Sequence, residues 1–184
     1  MEENTRQQKA RLRESLRALT ESLPKDYLAR SDMGIRKNLL ALNDWRKAQT
    51  LFIYVSVGKE PDTRWLIRAA LDAGKTVAVP LTLGGGAMEA RVIISPNALI
   101  VGRYGIPEPL EDSPLLLPAA LELAVVPCIA ADRQGYRLGH GSGYYDRYLA
   151  RVSCPTVCLC RVKLLQEELP HDDFDRKADW VITE

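Results

Sequence analysis

Two short apolar runs, Leu51-Phe52-Ile53-Tyr54-Val55 and Thr76-Val77-Ala78-Val79, flank a segment that Pro61 and Asp62 open and Gly74 closes. This order constrains the fold more than any other feature of the chain. The runs are short and partly β-branched, as buried strands are. Proline near the start and glycine past the end mark a helix between them, running through Leu71. Strand, helix and strand in close succession favour a right-handed βαβ unit and a largely parallel sheet. Pro80 is expected to stop the second strand. Gly84-Gly85-Gly86 reads as a flexible turn, since no clear helix follows it. Further strands are expected at 88–94, 121–126, 155–160 and Trp180-Val181-Ile182, and helices at 5–22, 25–42 and 143–152. A last helical turn is expected near 163–168. Residues 102–118 hold four prolines and read mostly as loop. With no repeat, low-complexity tract or linker, the expectation for 1–184 is a single three-layer α/β/α domain.

The 184 residues suffice for one substantial core. Hydrophobic content of 46%, charged content of 27% and a net charge of +1 describe an ordinary globular chain with no global field to recruit nucleic acid or membrane. No apolar run approaches the roughly 20 residues that span a bilayer. The charged N-terminus lacks a signal-peptide core, so a cytoplasmic protein is expected. Charge is unevenly placed: residues 1–17 carry five cations and three acids, residues 166–184 seven acids and two cations. The two ends could meet around a ligand or be solvated faces. Cys128, Cys154, Cys158 and Cys160 have no zinc spacing, and His140 and His171 do not complete one. They read as reduced thiols.

The densest chemistry lies in Arg137-Leu138-Gly139-His140-Gly141-Ser142-Gly143-Tyr144-Tyr145-Asp146-Arg147. Three alternating glycines let the backbone turn sharply and let a ligand approach it closely. A helix starting at about Tyr144 would aim free N–H groups at the loop, which favours an anion, phosphate above all. Arg137 leads directly into the loop and could fork onto phosphate oxygens. Asp146, in the first helical turn, suits the helix dipole, and it is also what Mg²⁺ needs beside a phosphate. A second carboxylate could come from Asp132, Asp172, Asp173 or Asp175; spacing does not choose among them. Lys9 and Arg13, four apart, share a helix face that is either a surface stripe or a polyphosphate grip. Glu60 follows the first strand, where ligands of parallel α/β sheets bind. Tyr144 and Tyr145 could stack on a heterocycle or pack inward.

The 137–147 stretch resembles the signature of the 5-formyltetrahydrofolate cyclo-ligase family, whose members are also called methenyltetrahydrofolate synthetases. Similar matches run in order along the chain: Lys9 and Arg13, Glu60 to Thr63, Pro80, Gly105-Ile106-Pro107-Glu108-Pro109, Val126-Pro127, Asp132, Gly135, Leu169-Pro170 and Val181-Ile182-Thr183. The resemblance implies an ATP- and Mg²⁺-dependent ligase that converts 5-formyltetrahydrofolate, with or without a polyglutamate tail, to 5,10-methenyltetrahydrofolate, releasing ADP and phosphate. It implies a monomer without nucleic-acid or membrane partners. Lys9, Arg13, Arg137, Leu138, Gly139, His140, Gly141, Ser142, Gly143, Tyr144 and Tyr145 would hold ATP, with Lys9 and Arg137 catalytic. Glu60, Tyr144 and Tyr145 would meet the folate, and Asp146 and Asp175 the metal, a role Asp172 or Asp173 could take instead of Asp175. The chain departs from the family pattern at Ala131, Cys158, Leu164, Phe174 and Lys177. These departures leave room for a second reading, an ATP-binding relative of the same fold with another substrate or a regulatory role. A dinucleotide-dependent oxidoreductase would need G-x-G-x-x-G directly after an early strand, which the chain lacks.

Overall fold

In the computed structural model, residues 4–184 are described. The chain begins with three helices, α1 (Thr5–Ser22), α2 (Lys25–Ala41) and α3 (Asn43–Lys47). Asn4 caps α1 by accepting a 3.0 Å bond from the Gln7 amide, and Pro24 breaks the chain between α1 and α2. Then come β1 (Thr50–Ile53), α4 (Arg64–Asp72), β2 (Thr76–Gly84), β3 (Ala87–Ile93), β4 (Ile100–Val101), β5 (Pro107–Glu108) and β6 (Leu115–Leu116). The last part holds β7 (Leu123–Val126), β8 (Ala130–Asp132), β9 (Arg137–Leu138), α5 (Tyr144–Leu149), β10 (Thr156–Leu159), β11 (Leu165–Gln166) and β12 (Trp180–Ile182).

Seven strands form the main sheet in the order β12-β10-β7-β1-β2-β3-β6. The five from β12 to β2 are parallel, and β3 and β6 extend the edge antiparallel. The alternation of side chains along each strand divides the core in two. Phe52, Ala78, Ala124, Val126 and Cys158 face a cluster with Leu16 of α1 and Tyr148 and Leu149 of α5. Leu51, Ile53, Val77, Val125 and Val157 face Ile35 and Leu39 of α2, Trp45 of α3 and Leu66 and Ile67 of α4. This is the expected α/β architecture: a largely parallel sheet with helices over both faces. The cysteines are free, with Cys128, Cys158 and Cys160 buried in the first cluster.

Several local expectations change. Pro80 does not stop β2, which runs to Gly84 and pairs Pro80 with Ala90 of β3. Pairing with β1 ends at Ala78, so on that side the strand has no partner for a proline N–H to serve. The helix after β1 starts at Arg64 because Thr63 is tied back to the strand end. Its Oγ1 donates to the Tyr54 carbonyl at 2.6 Å and accepts from the Ser56 amide at 2.9 Å. Helix α5 stops at Leu149 and not at 152, and the turn near 163–168 is a short 3-10 turn at Val162–Leu164 leading into β11. The small sheet β11-β8-β9 was not expected at all.

Candidate active site

Strand order reverses around β1. The chain moves from β1 to β2 on one side and later returns to place β7 on the other. Ligands of parallel α/β sheets bind beyond the carboxyl ends of strands at such a point. There the protein has a cavity of about 1050 Å³, lined by Tyr54 and Glu60 after β1, Pro127 after β7 and Pro80 and Thr82 in β2. A drug-sized ligand occupies a pocket of roughly 300–1000 Å³.

Apart from Asp132, the residues singled out in the sequence for nucleotide, folate or metal contact line this one cavity: Lys9, Arg13, Glu60, Arg137 through Asp146, Asp172, Asp173 and Asp175. The long-range contacts explain how. Arg13 reaches from α1 to donate its Nε to the Gly139 carbonyl at 2.8 Å. Lys9, one turn earlier, holds Asp172 at 2.8 Å and Asp175 at 2.5 Å. The basic start and acidic end of the chain therefore meet. Burial is the largest single influence on Lys9 and disfavours its charge. The bonds and charges of Asp172 and Asp175 together outweigh it, so the ammonium pKa lies above its ordinary value.

Arg137 is 8% exposed, and its Nη2 donates to Asp146 Oδ1 at 2.7 Å. Its Nε is buried without a hydrogen-bond partner among the described residues. In the loop, Gly141 (φ 102°) and Gly143 (φ 66°) take backbone conformations that a side chain would strain. A Cβ on Gly143 would also stand 2.9 Å from the Arg147 guanidinium. Arg147 closes the loop, bonding the Ser142 carbonyl at 2.5 Å and the Gly86 carbonyl at 2.8 Å. Helix α5 has only six residues, so its dipole is a minor source of positive potential. Guanidinium and ammonium groups carry that role.

The two tyrosines part ways. Tyr145 packs inward, its ring 6.4 Å from Phe52, and burial drives its phenol pKa far upward. Tyr144 stays at the rim, where its hydroxyl meets that of Tyr104 at 3.2 Å. The Glu60 carboxylate accepts from the Val57 amide at 2.9 Å through Oε2, and Oε1 lies 3.4 Å from His140 Nε2.

Among the carboxylates left open by the sequence, Asp132 is fully buried and committed to a turn. Its oxygens accept from the amides of Gln134, Tyr136 and Leu169 at 2.9–3.0 Å, so it is unavailable to a metal. Asp172, Asp173 and Asp175 remain at the cavity. Among the described residues no three His, Cys, Asp or Glu side chains cluster closely enough to cage a metal alone. The Arg176 amide lies 3.4 Å from Asp146 Oδ1, which brings the residue after Asp175 against Asp146.

Sequence reasoning missed Arg6, Thr82, Met88, Tyr104, Arg147 and Phe174, all at the cavity. It also gave no role to Glu108, which is 5% exposed and accepts from the amides of Thr82 (3.3 Å) and Arg103 (3.2 Å). Glu108 lay inside a quoted motif and was traceable. Arg147 lay inside the quoted 137–147 stretch, whereas Arg6 in α1, Thr82 in β2, Met88 in β3, and Tyr104 and Phe174 outside the α-helices and strands carry no spacing signal.

The model of the 5-formyltetrahydrofolate cyclo-ligase family matches residues 5–184. A probable 5-formyltetrahydrofolate cyclo-ligase of Schizosaccharomyces pombe is 30% identical over 95% of this chain and 94% of its own. The 5-formyltetrahydrofolate cyclo-ligase of Escherichia coli K12 is 31% identical over 74% of this chain and 78% of its own. The NMR structure of Aquifex aeolicus 5,10-methenyltetrahydrofolate synthetase superposes with a TM-score of 0.84 at 30% identity, covering 95% of this chain and 88% of the other. On its matched sequence, its fold and the convergence of its signature on one cavity, this chain belongs to the 5-formyltetrahydrofolate cyclo-ligase family.

Proposed function

We propose that the protein is an ATP- and Mg²⁺-dependent ligase that converts 5-formyltetrahydrofolate to 5,10-methenyltetrahydrofolate with release of ADP and phosphate. One observation carries this reading: a single cavity gathers Lys9, Arg13, Arg137 and the glycine loop on one side and Glu60 on another, with room for a nucleotide beside a folate. The formyl oxygen attacks the γ-phosphorus, and the β–γ bridging oxygen leaves with ADP. The resulting phosphorylated iminium carbon is attacked by N10. That attack closes the ring, N10 gives up its proton to the departing phosphate, and the C–O bond breaks so that phosphate leaves with the former formyl oxygen.

The protein's part is positioning and charge neutralisation. Arg137 has one donor on Asp146 and a buried Nε left over, which suits it to the equatorial oxygens of the transferring phosphoryl group. Lys9 and Arg13 reach the same phosphates from α1, beside Leu138, Gly139, His140, Gly141, Ser142 and Gly143. Glu60 takes the pterin edge through Oε1, since Oε2 is engaged by the Val57 amide. Tyr145 and Tyr144 form the wall between the nucleotide and folate ends.

Asp146 and Asp175 fit Mg²⁺ as a partial set: two hard oxygen donors on one cavity, with phosphate oxygens to complete them. When bound, the ion would neutralise charge on the β- and γ-phosphates. Lys9 and the Asp172 amide engage Asp175 Oδ2 and Arg137 engages Asp146 Oδ1, so the second oxygen of each carboxylate is the one that would meet the ion.

We further take residues 1–184 as one domain, because both hydrophobic clusters pack on the same sheet. The protein would act as a cytoplasmic monomer without nucleic-acid or membrane partners. No helix among the described residues is long and apolar enough to cross a membrane. The reaction can be followed with 5-formyltetrahydrofolate carrying ¹⁸O in the formyl group. The label is expected in the released phosphate; unlabelled phosphate formed alongside the methenyl product would refute the phosphorylated intermediate.

A further inference from the structure

Arg161, just beyond β10, is 1% exposed and the largest side chain fully withdrawn from solvent among the described residues. A buried guanidinium is costly unless its donors are filled. Its partners come from two distant segments. In α2 it bonds the Leu28 carbonyl at 3.3 Å and Asp32 Oδ1 at 2.9 Å. Nε donates to the Lys59 carbonyl at 3.1 Å and Nη2 to the Glu60 carbonyl at 3.0 Å.

Those two carbonyls belong to the loop that carries Glu60. The loop separates the main cavity from a smaller cleft of about 500 Å³ lined by Arg161, Asp32 and Lys59. No strand or helix fixes it; within the loop the Glu60 amide bonds the Val57 carbonyl at 3.2 Å, and Gly58 turns it at φ 56°. The Glu60 carboxylate is on the main cavity, while its own carbonyl is gripped from the direction of the cleft.

We propose that Arg161 is a positioning residue, anchoring the backbone of the loop to α2 so that the Glu60 carboxylate is held at the folate end of the cavity. The proposal rests on the reading that Glu60 binds the folate. A planar fork suits this place, because four acceptors converge on it from two segments, more than the three donors of a lysine ammonium can fill.

Arg161→Lys, Glu60→Gln and the double variant test it by steady-state kinetics. Arg161→Lys should raise KM for 5-formyltetrahydrofolate on the order of tenfold and leave KM for ATP within about twofold. In the Glu60→Gln background it should add less than about twofold, since the two act through one contact. A similar rise in both KM values, or the same folate effect with Glu60 already replaced, overturns the positioning role. Glu60→Gln with an unchanged folate KM instead overturns the reading of Glu60 itself. If Arg161→Lys does not fold, Asp32→Asn decides: a smaller, folate-specific rise in KM supports the anchor, and an unchanged KM rejects it.

Discussion

Lys9 Nζ lies 2.5 Å from Asp175 Oδ2, joining the first helix to the acidic tail across 166 positions. One pair thus ties together a proposed phosphate ligand and a proposed metal ligand. Asp175→Asn should raise the Mg²⁺ concentration needed for half-maximal activity by roughly tenfold or more, with the fold retained. Magnesium titration of Asp172→Asn, Asp173→Asn and Asp175→Asn checks this. The effect confined to one of the other two would move the metal role along the tail.

Arg137 donates to Asp146 from a nearly buried position. If it stabilises the transferring phosphoryl group, Arg137→Ala should lose about 3 kcal/mol of transition-state stabilisation, near a hundredfold in kcat/KM. An unchanged kcat/KM in a folded variant would remove Arg137 from the mechanism.

Acid and alkali should act on the same cluster with opposite signs. The bond from Lys9 lowers the Asp172 carboxyl pKa, so its contribution is complete above the unfolded carboxylate value and fades as pH falls through the lower folded value. The raised Lys9 pKa gives a contribution complete below the unfolded ammonium value and lost as pH climbs through the higher folded one. Urea midpoints measured between roughly pH 2 and pH 5 should fall with acid less steeply in Asp172→Asn than in the parent. Equal slopes would show that the pair contributes nothing to acid stability.

Gly135 couples the turn before the signature to the tail. Its carbonyl accepts from the Ala178 amide at 2.8 Å, its φ is 96°, and an added Cβ would stand 2.4 Å from the Ala178 carbonyl oxygen. Gly135→Ala should therefore cost more than about 1 kcal/mol in denaturant unfolding. A cost near zero would mean that the tail yields without loss.

Much of the site was legible in the sequence because its residues sit in dense local patterns. Glycine spacing marked the 137–147 loop, and the end of an apolar run marked Glu60. What spacing could not reveal was partnership over distance. Whether Lys9 and Arg13 face open solvent or the loop depends on where α1 packs, and Leu16 buries itself in the cluster beneath the loop. Pro80 misled because a proline interrupts a strand only where the edge its N–H would face is paired, and β1 pairing stops short of it. Arg161 belongs to no local pattern; its burial follows from contacts 101 to 133 residues away.

This cavity is expected to close the methenyl ring at the expense of ATP. Purified protein with ATP, Mg²⁺ and 5-formyltetrahydrofolate should develop methenyltetrahydrofolate absorbance in step with ADP, one for one. ATP bound or hydrolysed without that absorbance would contradict the claim and favour an ATP-binding relative with a different substrate.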